Sequence, residues 1–438
     1  MRRAGLLCHI SSLPSRGPIG DLGPAAHAFA EWLARAGCQS WQVLPLNPMG
    51  PGLSPYASPS ALAAEPLLIS LDRLVEEGLL DPFDAPHTGS VDEALLHSWK
   101  RPLLEQAAAR VPVVEVDEWA HAHLWGQAWA RFRSPEAPRI ELALQMLFDR
   151  QWAALRARCD ALGIELIGDV PIFVSGDGCD TRERPELFDF SVSAGVPPDY
   201  FSETGQLWGN PHYAWEAHRA EGFAWWKARM ERALEHCHVV RVDHFRGFAG
   251  AWAVPKGAEN AIQGEWVEGP GMELFEALGP MPLIAEDLGL ITPDVEALRE
   301  DLGAPGMKIL QFAFGGEADH AFLPHNFKGS NWVAYTGTHD NDTARGWYES
   351  APAEAQHRFR LMLATAGHDC AWDLVRLTWS TVADRAIAQL QDVLDLGGAA
   401  RMNVPGTVEG NWRWRTPSLP ADSIAERLAR LSWAFSRG

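Results

Sequence analysis

Three short stretches of this 438-residue chain carry the side chains that could do chemistry together. Arg241-Val242-Asp243-His244-Phe245-Arg246 follows the β-branched pair Val239-Val240. Glu286-Asp287 follows the apolar Leu283-Ile284-Ala285, and His339-Asp340-Asn341-Asp342 follows Trp332 to Thr336. Along an extended chain, Arg241 and Asp243 share one face, and His244 and Arg246 the other. A cation beside Asp243 favours its ionised form, which a carboxylate nucleophile requires. Glu286 follows an apolar run and would face the charge of Asp243; both conditions raise its pKa, as a general acid needs. Packing alone gives no reason to gather repelling carboxylates, so three of them predict a carboxylate active site. Retaining glycosidic chemistry uses such a pair about 5–5.5 Å apart, one acid attacking and the other protonating then deprotonating. Asp340 would then hydrogen-bond sugar hydroxyls, with His339 and His244 donating to the same sugar. For the Arg241–Asp243 segment taken alone, a structural ion pair closing a strand is the competing reading.

Metal binding is the other chemistry these residue types allow. His339-Asp340-Asn341-Asp342 and His236-Cys237-His238 are rich in ligand types, but the second has no matching third ligand nearby, which favours a helix-end role. The six cysteines (Cys8, Cys38, Cys159, Cys179, Cys237, Cys370) lack zinc spacing, and neither a phosphate-binding P-loop motif nor a G-x-S-x-G elbow is present. No metal and no organic cofactor are expected.

The elements that must position the acids alternate along the chain. Short buried-type runs at Leu6–Ile10, Ser40–Leu46, Ile164–Val174, Val239–Val242, Leu283–Leu288, Met307–Phe314 and Trp332–Thr336 read as strands, with an eighth near Ala400–Val404. Helical spacing fills the intervals, as in Ile140–Leu162. Eight strands alternating with helices predict a (β/α)8 TIM barrel, which collects reactive groups at the C-terminal strand ends. The rhythm breaks between the second and third strands, where residues 47–139 read as an inserted, partly helical subdomain of one catalytic barrel spanning 1–438. Hydrophobic residues make up 47% of the chain, enough for a large core, and the net charge of −20 disfavours nucleic acid and anionic membranes. No apolar run approaches the ~18 residues of a membrane span. Scattered cysteines without pairs predict reduced thiols and a cytoplasmic setting.

Taken together, these segments resemble the 4-α-glucanotransferases (amylomaltases) of glycoside hydrolase family 77. The likeness is carried by Ser54-Pro55-Tyr56, by Ala194 to Pro211 with its Pro-Pro-Asp-Tyr-Phe and Gln-x-Trp-Gly-Asn-Pro signatures, by the three acid-bearing stretches, and by Asn403-Val404-Pro405-Gly406-Thr407. It runs in family order over nearly the whole chain. The resemblance implies Asp243 as nucleophile, Glu286 as general acid/base and Asp340 as transition-state stabiliser. It implies a lid over residues 191–222 bearing Tyr200, Phe201, Trp208 and Asn210, a stacking platform at Tyr56, and sugar or carboxylate contacts from Arg241, His244, His339 and Asn411. For Asp169, a structural role is as open as a catalytic one. The implied partners are α-1,4-glucans, with the chain a monomer or weak homodimer; a glucan hydrolase and an inactive carbohydrate-binding barrel are the alternatives. Three departures stand out: a shortened stretch between about Glu105 and Ile140, Asp177-Gly178-Cys179-Asp180-Thr181-Arg182 where the family carries a Trp, and Ala63-Ala64-Glu65-Pro66 in place of Ala-Gly-Asn-Pro.

Overall fold

Aliphatic runs too short to cross more than one layer, each followed by a helix with one apolar face, fold into a parallel sheet wrapped by helices. The computed structural model describes residues 2–198, 202–317 and 319–438. In chain order the strands are β1 (Arg3–Leu7), β2 (Ser40–Gln42), β3 (Glu165–Val170), β4 (Phe188–Asp189), β5 (Val192–Val196), β6 (Gln206–Leu207) and β7 (His212–Tyr213). They continue with β8 (Val239–Val242), β9 (Gly250–Pro255), β10 (Glu265–Glu268), β11 (Leu283–Ala285), β12 (Gly306–Ile309), β13 (Trp332–Tyr335) and β14 (Arg385–Gln389).

Eight of them form one parallel sheet in the order β11-β8-β3-β2-β1-β14-β13-β12. The amide of Ala285 donates to the carbonyl of Pro305 at 2.9 Å and draws the β11 edge onto the start of β12, nearly closing the sheet as a barrel. Strands buried on both faces need no alternation, and Leu6, Trp41, Leu166, Val240, Ile284, Met307 and Ile387 are all buried. Outside them, the helix Pro24–Arg35 buries Phe29, Trp32 and Leu33. Its first-turn Pro24 lacks an N–H that would have no partner there anyway.

The eighth barrel strand is a correction to the expectation from sequence. Ala400 ends a 3-10 turn and residues 401–404 are irregular; Arg385–Gln389 takes the place, pairing with β1 from Arg3↔Arg385 to Leu7↔Gln389 and with β13 on its other side. Alanine, arginine, leucine and glutamine dominate 383–394, a composition that reads as helix by local preference; pairing on both edges overrides it.

Between β2 and β3 lie three 3-10 turns (Pro51–Leu53, Pro55–Ala57, Pro66–Leu68) and a run of short helices ending in the long Pro138–Ala161. A four-stranded antiparallel sheet, β10-β9-β5-β6, is built from segments that follow β3 and β8. All six cysteines are free and buried. Among the described residues no helix is long and apolar enough to cross a membrane.

Candidate active site

The pairing of β8 with β11 brings the first two acids together. Val242 is the register partner of Ala285, so Asp243 and Glu286, each one residue further on, leave adjacent parallel strands side by side. Neighbouring strands lie about 4.8 Å apart, the spacing on which paired carboxylates can share one sugar. Backbone bonds continue past the strands: Asp243 N donates to Val170 O at 3.0 Å, and Glu286 N to Val242 O at 3.1 Å.

Arg241, buried, bridges two acids. One guanidinium nitrogen donates to both oxygens of Asp169 at 2.7 Å, and another to Asp243 Oδ1 at 2.8 Å. Tyr56 donates its hydroxyl to Asp169 Oδ2 at 2.6 Å, so Asp169 sits beneath the site as the anchor of Arg241 and Tyr56. Burial pushes the Asp169 carboxyl up, and the bonds from Arg241 and Tyr56 offset that desolvation in part.

Glu286 is placed by backbone donors. His244 N reaches Oε2 at 2.6 Å and Leu288 N reaches Oε1 at 3.0 Å. Burial first, and then the charge of Asp243, push its carboxyl from the ordinary 4.5 to about 8, against Arg241 and those two amides. It is therefore protonated at neutral pH, the state a proton donor needs. The amide of His244 can reach Glu286 because His244 adopts a left-handed conformation (φ 51, ψ 50), which turns the chain sharply out of β8. Its ring stays neutral, with burial first and Arg246 second lowering its pKa to about 3, and its Nε2 is buried without a partner among the described residues.

Asp340 and His339 follow β13. Asn403 Nδ2 donates to Asp340 Oδ1 at 2.6 Å, His339 Nε2 lies 3.4 Å from Oδ2, and Arg401 donates to the Asp340 carbonyl. The His339 ring stacks on Tyr56, centroids 4.8 Å apart at 17°, and Trp412 packs against both at 5.7 Å. Across the rim, Trp208 meets His244 edge-on at 4.8 Å, with Phe173 behind them. Asn210 donates to Val174 O at 2.8 Å and thereby ties its own segment to the end of β3. Asn411 accepts from Val404 N at 3.0 Å and donates to Thr407 O at 2.9 Å, shaping the 403–411 loop. Tyr200 and Phe201 lie outside the described residues.

So Asp243, Glu286, Arg241 and His244 meet directly, and Tyr56 joins them through Asp169 to His339 and Asp340. Sequence reasoning missed Asn403 as a partner of Asp340 and Trp412 as the third ring of the aromatic group. The Asn403-Val404-Pro405-Gly406-Thr407 motif and the contact expected of Asn411 marked that loop without revealing these two roles. His236 and His238 stand apart, paired with Asp149 and Asp160 respectively. Among the described residues no group of His, Cys, Asp and Glu is arranged to hold a metal ion.

Glu65, one of the departures noted from sequence, is buried and works on the backbone. Its oxygens accept from Met49 N at 2.7 Å and Leu67 N at 2.9 Å, which fixes both ends of the loop carrying Tyr56. Glu65→Ala strands two buried amides at about 1–3 kcal/mol each. A denaturant midpoint that falls accordingly is expected; an unchanged midpoint contradicts this role.

A parallel barrel whose rim sets two carboxyls side by side, one of them raised to about 8, belongs to the class of carbohydrate-active barrel enzymes. The family model described as 4-alpha-glucanotransferase, glycoside hydrolase 77, matches residues 8–134 and 111–420. The 4-alpha-glucanotransferase of Thermus thermophilus is 43% identical over 491 aligned positions, covering 98% of this chain and 97% of its own. The amylomaltase of Streptococcus agalactiae, solved in complex with acarbose, superposes with a TM-score of 0.95 at 32% identity, all of both chains covered. The amylomaltase of Corynebacterium glutamicum shares the fold at a TM-score of 0.81, 17% identity, covering 100% of this chain and 75% of its own. The chain belongs to the 4-alpha-glucanotransferase family, glycoside hydrolase family 77.

Proposed function

We propose that the chain carries out 4-α-glucan transfer by a retaining double displacement in which Asp243 is the nucleophile and Glu286 the acid/base. Asp243 attacks the anomeric carbon of an α-1,4-linked glucan, while Glu286 delivers its proton to the departing 4-oxygen. The C–O bond to the leaving glucan breaks and an ester bond to Asp243 forms. The 4-hydroxyl of an acceptor glucan then gives its proton to Glu286 and displaces Asp243, restoring the α configuration and both carboxyls. Asp340, its Oδ1 held by Asn403, is suited to hydrogen-bond sugar hydroxyls, and His244, whose ring Nε2 has no partner among the described residues, is read as a second contact to the same sugar. The observation that carries this reading is the register match of Asp243 with Glu286, together with the upward shift that burial first, and Asp243 second, give the Glu286 carboxyl.

Transfer in place of hydrolysis needs water kept from the ester and an acceptor held in its place. Residues 191–222 are read as the lid for that purpose, with Trp208 as a stacking face and Tyr56 as the platform opposite. Residues 47–139 are read as an inserted subdomain whose helices give the Tyr56 loop its footing. Maltodextrins and glycogen-derived glucans are the substrates this reading favours, in a cytoplasmic setting consistent with six buried free thiols. The most exposed of the large apolar side chains, Leu124, Leu361, Val408 and Trp433, sit in separate segments of the chain, which favours a monomer or weak homodimer.

Incubation with maltotriose tests the reading. Glucose together with maltopentaose and longer chains is expected; shortening to maltose and glucose alone would mark a hydrolase instead.

A further inference from the structure

The segment that bears His339 and Asp340 runs from the end of β13 to the helix Ala344–Ser350, and one carboxyl touches both its ends. Thr336 Oγ1 donates to Asp392 Oδ2 at 2.5 Å, and Ala344 N donates to Oδ1 at 2.7 Å. Asp392, Thr336 and Thr343 are completely buried. Between these ties, Gln311 Nε2 and Gln389 Nε2 both donate to the carbonyl of Asp342, at 2.8 and 3.2 Å. The same amides lie against Gly337, where an added Cβ would stand 2.6 and 2.9 Å from them. Asp392 has no ion-pair partner among the described residues, so its burial is offset by hydrogen-bond donors, namely Thr336 Oγ1, Ala344 N and the backbone amide of Gln389. A buried acid without a counter-charge is an expensive way to fill a core. What a carboxyl supplies there is a rigid two-oxygen fork that binds a hydroxyl and an amide eight residues apart.

We propose that Asp392 is a positioning residue for glucan transfer: its carboxyl clamps the 336–344 segment at both ends and so sets where Asp340 stands on the rim. This rests on the reading of Asp340 given above. Asp392 itself touches no substrate and acts only through that segment. Loosening the clamp moves Asp340 relative to the sugar without removing any sugar contact, so the loss appears in kcat more than in KM.

Four proteins test this on maltotriose: the parent, Asp392→Asn, Asp340→Asn and the double variant. Asp392→Asn should lower kcat per folded enzyme about 10–100-fold, the scale of a small misplacement at a reacting centre. KM should move less than about 2-fold, because ground-state binding is kept. In the Asp340→Asn background the second substitution should add less than about 2-fold, since contacts acting through one residue are not additive. A lowered Tm with kcat intact, or fully multiplicative losses, would overturn the proposal. Should Asp392→Asn fail to fold, Thr336→Val removes one tie with little change of shape and must show the same split and coupling; unchanged kcat there overturns it equally. A normal kcat in Asp340→Asn would instead remove the reading of the site on which this rests, and the proposal with it.

Discussion

Asp243→Asn is expected to abolish turnover while leaving the fold intact. The amide keeps the size of the side chain and can still accept from Arg241, so the barrel rim is preserved. It cannot form the ester, and kcat on maltotriose should fall by on the order of 10⁴-fold or more, the range seen when a nucleophilic group is removed. Circular dichroism and thermal denaturation should match the parent. A variant that turns over at a normal rate would place the attacking group elsewhere and dissolve the mechanism.

Glu286→Gln should remove the proton donor and lower kcat on natural glucans by about 10²–10⁴-fold. Substrates whose leaving group departs without protonation, such as an α-glucosyl fluoride, should still form the ester but release it slowly. The parent should show the matching pH dependence: with the Glu286 carboxyl raised to about 8, kcat/KM falls as pH rises through that value and the acid form is lost. The linkage to stability has the same sign. A carboxyl raised from 4.5 to about 8 contributes stability that is fully present below 4.5 and is lost as pH rises through about 8. Glu286→Gln, which never ionises, should therefore not show the alkaline fall in stability that the parent shows, while losing at every pH one of the two backbone bonds, because its amide nitrogen cannot accept. An unshifted alkaline limb in the variant would contradict this assignment.

The strand-end positions of Asp243 and Glu286 were legible because each directly follows an apolar run, a local signal that a strand terminus carries in its own residues; Asp340 follows its run across Thr336 to His339. Seven of the eight barrel strands were legible for the same reason. Arg385–Gln389 was not, because its alanines and glutamine take their conformation from β1 and β13, which lie far away in sequence. The supporting residues of the rim are hidden likewise. Asn403 meets Asp340 across 63 positions, Trp412 meets Tyr56 across more than 350, and Asp392 reaches back to Thr336 and Ala344. None of these contacts leaves a periodicity or a motif, since each depends on how the barrel closes. Glu65 shows the converse: read from sequence it was only a charge near the Tyr56 loop, and its value as a two-amide brace emerges from its burial.

Retaining transfer requires a covalent bond between glucan and Asp243, and mass spectrometry reads that bond directly. Glu286→Gln enzyme treated with an α-maltosyl fluoride and digested should yield a peptide containing Asp243 heavier by one maltosyl group. A glycosylated peptide containing Asp340 or Asp169 instead, or steady consumption of the fluoride with no labelled peptide, would contradict it.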